Sequence, residues 1–175
     1  MVLLPVFFLF NSALRETNSF ASNPFALARD PHWENFQQVW SDGEFATYLK
    51  NSIIVTGGSL VVILICALGA GFILGRYNFK GNAIIFGFIL TGMLIPAKLA
   101  ILPLFIQLKW MNLLDSHIGL ILVYASGALP AAVFIMSGFF RSLPSDLDNA
   151  ARIDGASEFQ LLTRVLAPLV RPGMA

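Results

Sequence analysis

Two long segments of the chain contain no charged residue, and they restrict the possible folds more than any other feature of the sequence. One covers residues 51–75 and the other residues 118–140. A helix rises about 1.5 Å per residue, so each segment is long enough to cross a hydrocarbon core of about 30 Å. Because a lipid core offers no water to backbone groups, we expect both segments to be transmembrane helices.

The composition supports a membrane protein and excludes several other classes. The sequence is 57% hydrophobic and 12% charged, whereas soluble domains average about 25% charge. The net charge of +1 provides no basic field for a nucleic acid, so we expect no nucleic-acid partner. Cys66 is the one cysteine, which excludes an internal disulfide. We find no metal-ligand cluster, and we expect no metal and no cofactor, since His32 and His117 lie far apart in the sequence.

The first fifty residues divide into an apolar and a polar part. Residues 1–14 are apolar but shorter than the about 20 residues that a span needs, and they lack the basic start of a signal peptide. We interpret them as part of a first transmembrane helix. Residues 15–50 are polar, with five acids and three bases, and we interpret them as an external connector with a short surface helix over 35–48. Its aromatic residues suit a membrane–water interface: Trp33, Phe36 and Trp40.

Charge asymmetry predicts the orientation. Residues 76–82 contain two bases and no acid, and together with residues 141–171 they hold six bases. Positively charged loops favour the cytoplasmic side, so we expect both segments inside the cell and residues 15–50 outside. Asp115 or Ser116 is expected to cap the helix that follows the second external turn.

The apolar stretch over residues 83–108 is interrupted. Pro96 and Pro103 each remove a backbone donor and should kink or break a helix. Lys98 lies between them, and a charge at the bilayer centre costs about 3 kcal/mol on insertion scales. Either the helix ends near Ala97 and the following residues lie along the outer interface, or Lys98 faces a water-filled pathway.

Residues 143–168 form the one long stretch after residue 50 that is both polar and patterned. The pattern predicts two short helices. Ser145 and Asp148 are expected to form a weak capping box for the first, and Gly155 to end it in a left-handed conformation. Ser157 and Gln160 form a better capping box for the second. The expected apolar stripe of the second helix, and the proline expected to end it, are Phe159, Leu162, Leu166 and Pro168.

This stretch resembles the "EAA" loop of permeases from binding-protein-dependent ABC importers. The family pattern is E-A-A, three residues, G, nine residues, then I-x-L-P. Four positions of this sequence match it: Ala150, Ala151, Gly155 and Pro168. Three positions depart from it, with Asn149 in place of the acid, Val165 in place of Ile and Ala167 in place of Leu. The resemblance implies that the loop docks into a cleft on an ATPase subunit, with Asp148, Asn149 and Asp154 among the docking residues.

Other segments resemble the carbohydrate-uptake branch of these permeases, and in particular its maltose-type second subunit. Residues 35–40 and 48–52 resemble the branch's lead-in to a span, and Arg-x-x-Phe-x-Gly at residues 76–81 resembles its first inner loop. Residues 95–104 resemble its "miP … iPly" segment, which makes Pro96, Lys98 and Pro103 candidates for the translocation pathway.

The resemblance implies an all-α membrane protein with part of the type-I importer permease fold: one partial and three fuller spans plus coupling helices. It implies domains at residues 1–14, 15–50 and 51–175, with the docking loop at 143–168. The implied function is a permease subunit that moves a sugar across the bacterial cytoplasmic membrane. The implied partners are ABC ATPase subunits, a second permease, an external solute-binding protein and lipid, with no catalytic residue in this chain. We also expect permeases of this kind to continue beyond both ends of this sequence.

Several alternatives remain at this stage. A permease for a sugar phosphate, a polyamine or an amino acid fits the same motifs. A channel or scaffold membrane protein would share the spans without a transport cycle. A DNA-binding helix-turn-helix also has two helices around a tight turn, but the stretch lacks a basic recognition face.

Overall fold

The computed structural model describes residues 3–174, except for the side chain of Ala97. Its described residues are mostly helical and contain no strand. The α-helices are α1 (Leu3–Ala13), α2 (Thr17–Ser22), α3 (Glu34–Ser41), α4 (Phe45–Arg76), α5 (Asn82–Thr91), α6 (Ala97–Trp110), α7 (His117–Ser142), α8 (Asp146–Ile153), α9 (Glu158–Gln160) and α10 (Ala167–Leu169). Tighter 3₁₀ turns cover Gly92–Leu94 and Arg171–Gly173, and a wider π-helical turn covers Leu161–Leu166. The contacts divide the chain into two units, Met1–Ser52 and Ile53–Ala175.

The first unit is organised around two buried polar side chains. Asn11 donates a hydrogen bond to the carbonyl of Ala26 (2.9 Å) and accepts one from the amide of Ala28 (2.8 Å). The guanidinium of Arg15 donates to carbonyl groups of the following turn, those of Ser19, Asn23 and Pro24. The expected surface helix over residues 35–48 is shorter than predicted, since α3 ends at Ser41.

The helices α4 and α7 are the two that are long and apolar enough, among the described residues, to cross a membrane. They contain the two uncharged segments identified from the sequence. Helix α4 begins at Phe45, six residues before the uncharged segment, and ends at Arg76. The Oγ atom of Ser116 caps α7 as predicted, because it accepts a hydrogen bond from the amide of Gly119 (3.0 Å).

Helices α4 and α7 run parallel to each other in close contact. At one end, Ser59 Oγ donates to the carbonyl of Ile121 (3.5 Å). At the other, a Cβ atom added at Gly71 would lie 2.7 Å from Met136 Cβ, and one at Gly75 would lie 2.8 Å from the carbonyl oxygen of Ser137. Gly71 and Gly75, four residues apart, therefore form the face of α4 that packs closely against α7. Because the two helices run in the same direction, the loop after α4 and the loop after α7 lie at the same end of the pair.

The stretch between these helices is broken, as the prolines predicted. Pro96 has an extended conformation (φ −61°, ψ 122°) and stands immediately before α6. The segments Asn82–Leu94 and Lys98–Trp110 are bent by 105° relative to each other, and together they fit a broken span or a re-entrant loop. Pro103, in contrast, lies within α6 and does not end that helix. The close approach of Gly92 to Pro130 holds the end of α5 against α7.

The hydrophobic core of the second unit lies around the carboxyl-terminal ends of α4 and α7, beside the contacts of Gly71 and Gly75. Phe72 and Phe140 meet there edge to face, with ring centroids 5.8 Å apart. Three side chains that follow α7 complete this core and have no exposed surface: Leu161 and Leu166 from the patterned stretch, and Val170 just beyond it. The patterned stretch is therefore folded onto the ends of both long helices.

Candidate functional site

The candidate site is the docking loop, which we define as residues 143–168. Its first helix, α8, begins without the predicted cap. The side chain of Ser145 makes no capping hydrogen bond and its backbone is already helical. The predicted capping box of Ser145 and Asp148 is therefore wrong, because the carboxylate of Asp148 is bonded to another helix.

That other partner is Arg76, the last residue of α4. Its guanidinium binds the Asp148 carboxylate through two bonds, at 2.9 Å and 2.5 Å. The same group donates to the carbonyl oxygens of Phe140 (3.0 Å), Leu143 (2.7 Å) and Pro144 (3.0 Å). Both charged side chains are largely buried, at 7% exposure for Arg76 and 12% for Asp148. The arrangement satisfies the carbonyl groups of Leu143 and Pro144, which follow α7. It adds a second donor to the carbonyl of Phe140, which also accepts a hydrogen bond from the amide of Leu143.

The turn after α8 confirms the role predicted for Gly155. Its φ is +80°, in the left-handed region. The amide of Ala156 donates to the carbonyl of Ala151 (2.9 Å), and the amide of Gly155 donates to that of Arg152 (3.1 Å). These two bonds define a Schellman motif, which also brings the residues before and after the turn into apolar contact. The motif explains why small residues suit these positions: Ala151 and Ala156 on either side of the turn, and Gly155 within it.

The second helical part of the docking loop begins as predicted and continues further than predicted. Ser157 and Gln160 form a complete capping box. The prediction that Pro168 ends the helix is wrong, because Pro168 lies inside α10. The preceding π-helical turn shifts hydrogen bonding from i→i+4 to i→i+5. A local widening of this kind can accommodate a residue that lacks a donor.

A second polar cluster joins the loop after α4 to the docking loop. The hydroxyl of Tyr77 bonds to the carboxylate of Glu158, which also forms an ion pair with Arg152 (3.1 Å). The hydrogen bonds from Tyr77 and Arg152 lower the pKa of the Glu158 carboxyl. Partial burial and the bond to Glu158 raise the pKa of the Tyr77 hydroxyl. Glu158 is therefore ionised at neutral pH and holds both partners.

The docking loop has a buried and an exposed side. Ala151 packs into the core beneath α8. Asn149, Ala150 and Asp154 are exposed, as a contact surface requires. Two large apolar side chains that we did not assign to the site are exposed with them: Ile153 at 86% and Phe159 at 74%. Phe159 belongs to the apolar stripe that the sequence predicts with Leu162 and Leu166, but these residues do not form one buried face, because Leu162 and Leu166 pack in the core and Phe159 is exposed.

The three pathway candidates are found together at the broken span but form no site that the described contacts define. Pro96 precedes α6, Lys98 is exposed in its first turn, and Pro103 is exposed in its middle. The exposed position of Lys98 is compatible with either interpretation made from the sequence.

We expect Lys98→Met to change solute uptake by less than about threefold at unchanged membrane level, because an exposed lysine extends its amine to water. Uptake of labelled solute in cells that express the assembled system measures the effect. Lys109→Met, at the other end of the same helix, is the matched control. A severe uptake defect confined to Lys98→Met would place Lys98 in the pathway.

Comparisons with known proteins agree with this geometry. Residues 67–175 match the family described as the binding-protein-dependent transport system inner membrane component. The diacetylchitobiose uptake permease protein NgcG of Streptomyces coelicolor is 37% identical over the whole chain, which covers 58% of that relative. The trehalose permease protein SugB of Mycobacterium tuberculosis is 31% identical over 98% of the chain and 62% of that relative.

A solved structure has the same fold. It is a bacterial ABC transporter that imports the acidic polysaccharide alginate, with a TM-score of 0.87 and 25% identity over 99% of this chain and 61% of that one. The chain thus spans about three fifths of the length of the proteins it resembles. The matched residues include the glycine face of α4, all of α7 and the complete docking loop. The chain belongs to the family of inner membrane components of binding-protein-dependent transport systems.

Proposed function

We propose that this chain is a permease subunit of an ATP-binding-cassette importer that moves a sugar or a related glycoside across the cytoplasmic membrane. The observation that carries the proposal is the docking loop: an exposed surface mounted on a core that joins the ends of two long apolar helices. A loop of this construction can transmit a force to the spans, whereas a flexible loop could not.

The surface of the docking loop suits a protein partner. Ile153 and Phe159 expose large apolar side chains beside the small Ala150, while Asn149 and Asp154 add polar groups. Protein interfaces typically combine apolar anchors with a polar rim. We assign this surface to the ATPase subunit, and we place it on the cytoplasmic side because basic residues accumulate at this end of α4 and α7.

Asn149 stands where the family pattern has an acid, so another acid of the docking loop must make the acidic contact with the ATPase. The carboxylate of Asp148 is occupied by Arg76. Asp146 and Asp154 are exposed at the two ends of α8. We therefore assign the acidic contact with the ATPase to these two residues instead of Asp148.

The proposed substrate class rests on the relatives. Their names specify diacetylchitobiose and trehalose, both of which contain sugar rings. This chain would hydrolyse nothing itself. ATP hydrolysis would belong to the partner subunits, and closure of the ATPase dimer would move the spans between inward-open and outward-open states.

The experiment is to express the permease with a candidate ATPase, second permease and binding protein, and to reconstitute the complex in proteoliposomes. We expect ATP hydrolysis to rise when the binding protein carries diacetylchitobiose or trehalose, and the labelled sugar to enter the lumen.

Two other outcomes separate the alternatives. Stimulation by an amino acid or a polyamine, but by no sugar, would retain the importer and change the substrate class. A complex that assembles without any solute-dependent ATP hydrolysis would contradict the importer and support a scaffold protein.

A further inference from the structure

Arg76 uses its entire hydrogen-bonding capacity at one junction. A guanidinium has five N–H donors. Nε bonds to Asp148, Nη1 bonds to the carbonyls of Phe140 and Leu143, and Nη2 bonds to Pro144 and Asp148. Five bonds thus join the end of α4 to the end of α7 and the start of α8.

The two long helices are connected to the docking loop in different ways. Helix α7 leads directly into the loop, since only Leu143, Pro144 and Ser145 separate it from α8. Helix α4 is separated from α8 by about seventy residues, so the loop can pull on it only through non-covalent contacts. Arg76 and its neighbour Tyr77 supply the polar contacts between them: the buried pair with Asp148, and the exposed cluster with Glu158.

The charges of Arg76 and Asp148 are opposite to the partial charges of the helix ends beside them. The carboxyl end of α7 carries partial negative charge, and the first turn of α8 carries partial positive charge. The positive Arg76 lies against the carboxyl end of α7, and the negative Asp148 lies in the first turn of α8. Loss of one partner would leave the other buried and unpaired, which is more costly than the loss of an exposed pair.

We propose that Arg76 is a positioning residue that fastens α4 to the docking loop, so that displacement of the loop by the ATPase moves α4 and α7 as one body. This inference rests on the proposed function. The bond to Asp148 fixes α4 to α8, and the bond to the Phe140 carbonyl fixes it to the last turn of α7. The bonds to the carbonyls of Leu143 and Pro144 fix it to the connection between α7 and α8. The exposed cluster of Tyr77, Arg152 and Glu158 adds a weaker second attachment.

Arginine is required at this position because of its shape as well as its charge. Lysine would retain the positive charge but offers three donors from one nitrogen, which cannot reach a carboxylate and three separate carbonyls in a planar fork. Arg76→Lys should therefore fold and insert, yet loosen the attachment. Arg76→Gln should loosen it further, and Asp148→Asn should remove the charge pair and keep the three carbonyl bonds.

The test uses the complete importer with its ATPase and binding protein, in a Cys66→Ser background. Spin labels at Lys80 and Ser145, both exposed, report the distance between the loop after α4 and the start of α8. We expect this distance to be the same in nucleotide-free and vanadate-trapped complexes with Arg76. We expect it to change between those states in Arg76→Lys, with stimulation of ATP hydrolysis by loaded binding protein reduced about tenfold. A Lys80→Gln variant without labels is the control for ATP hydrolysis, since it removes a base from the same loop without touching the junction.

Each outcome decides between the proposals. A label distance that changes with nucleotide in the Arg76 complex, or stays fixed in Arg76→Lys, would overturn the inference. If Arg76→Gln fails to accumulate, Arg76→Lys and Asp148→Asn still decide it. Absence of solute-stimulated hydrolysis with Arg76 present would contradict the proposed function itself, whereas full stimulation in all variants would contradict only the role of Arg76.

Discussion

Replacing Gly71 or Gly75 with alanine is expected to separate α4 from α7 and to abolish transport. The added Cβ atom would lie 2.7 Å from Met136 Cβ at the first position and 2.8 Å from the carbonyl oxygen of Ser137 at the second. Neither neighbour is the free end of a flexible side chain, so the helices must move apart. Overpacking of this kind typically costs about 1–3 kcal/mol, and helix contacts in membranes depend on small residues at the interface.

The same helix contains its own controls. A Cβ atom at Gly57 or Gly69 would meet no atom within 4 Å. Alanine at these positions should therefore retain transport, and its better helix propensity favours the folded state by up to about 1 kcal/mol. Thermal unfolding of the purified protein and uptake of labelled solute measure both sets of variants. Equal behaviour of Gly69→Ala and Gly71→Ala would refute the close contact, whereas loss at Gly71 and Gly75 alone would establish it.

The spans could be predicted from the sequence because their signal is local. An uncharged segment of sufficient length has few alternatives to a transmembrane helix. The contact between α4 and α7 was only partly predictable. Gly71 and Gly75 are spaced for a helix interface, but Gly57 and Gly69 look the same in the sequence and face no neighbour. The difference depends on how a second helix, distant in the sequence, is placed.

The junction around Arg76 could not be predicted for the same reason. Asp148 has the position and chemistry of a helix cap, and local rules assigned it to Ser145. The structure instead pairs it with a residue 72 positions earlier in the chain. A charged pair across a tertiary contact outweighs a weak local cap, because two buried charges are costly unless they bind each other.

The exposure of Phe159 shows where a prediction from helix periodicity fails. Its spacing with Leu162 and Leu166 indicated a single apolar face, yet Phe159 is 74% exposed and Leu166 is fully buried. The π-helical turn over Leu161–Leu166 changes the angular spacing between these residues. Periodicity arguments assume a regular helix, so they fail where the helix widens, and here the failure coincides with the proposed contact surface.

Replacing Gly155 with valine is expected to prevent association with the ATPase while the spans remain inserted. The φ of +80° is the constraint, since a Cβ atom at this position would contact nothing within 4 Å. A left-handed conformation costs a non-glycine residue about 1–2 kcal/mol, and a β-branched residue is especially unsuited to it. Relief of that strain breaks the bonds from Ala156 to Ala151 and from Gly155 to Arg152, which set the angle between α8 and the second helical part of the loop.

Asparagine separates backbone strain from the loss of a small residue. Like valine, asparagine adds a side chain at this position, but it adopts the left-handed conformation more readily than other non-glycine residues and is found at the same position of helix ends. We therefore expect Gly155→Asn to retain ATPase association and most uptake, and Gly155→Val to lose both. Co-purification with the tagged ATPase and immunoblots of membrane level measure the two variants side by side. If Gly155→Asn fails as completely as Gly155→Val, the surface needs the bare glycine for contact, and the left-handed turn is not the reason for its presence. If both variants associate normally, the docking loop does not depend on the Schellman turn.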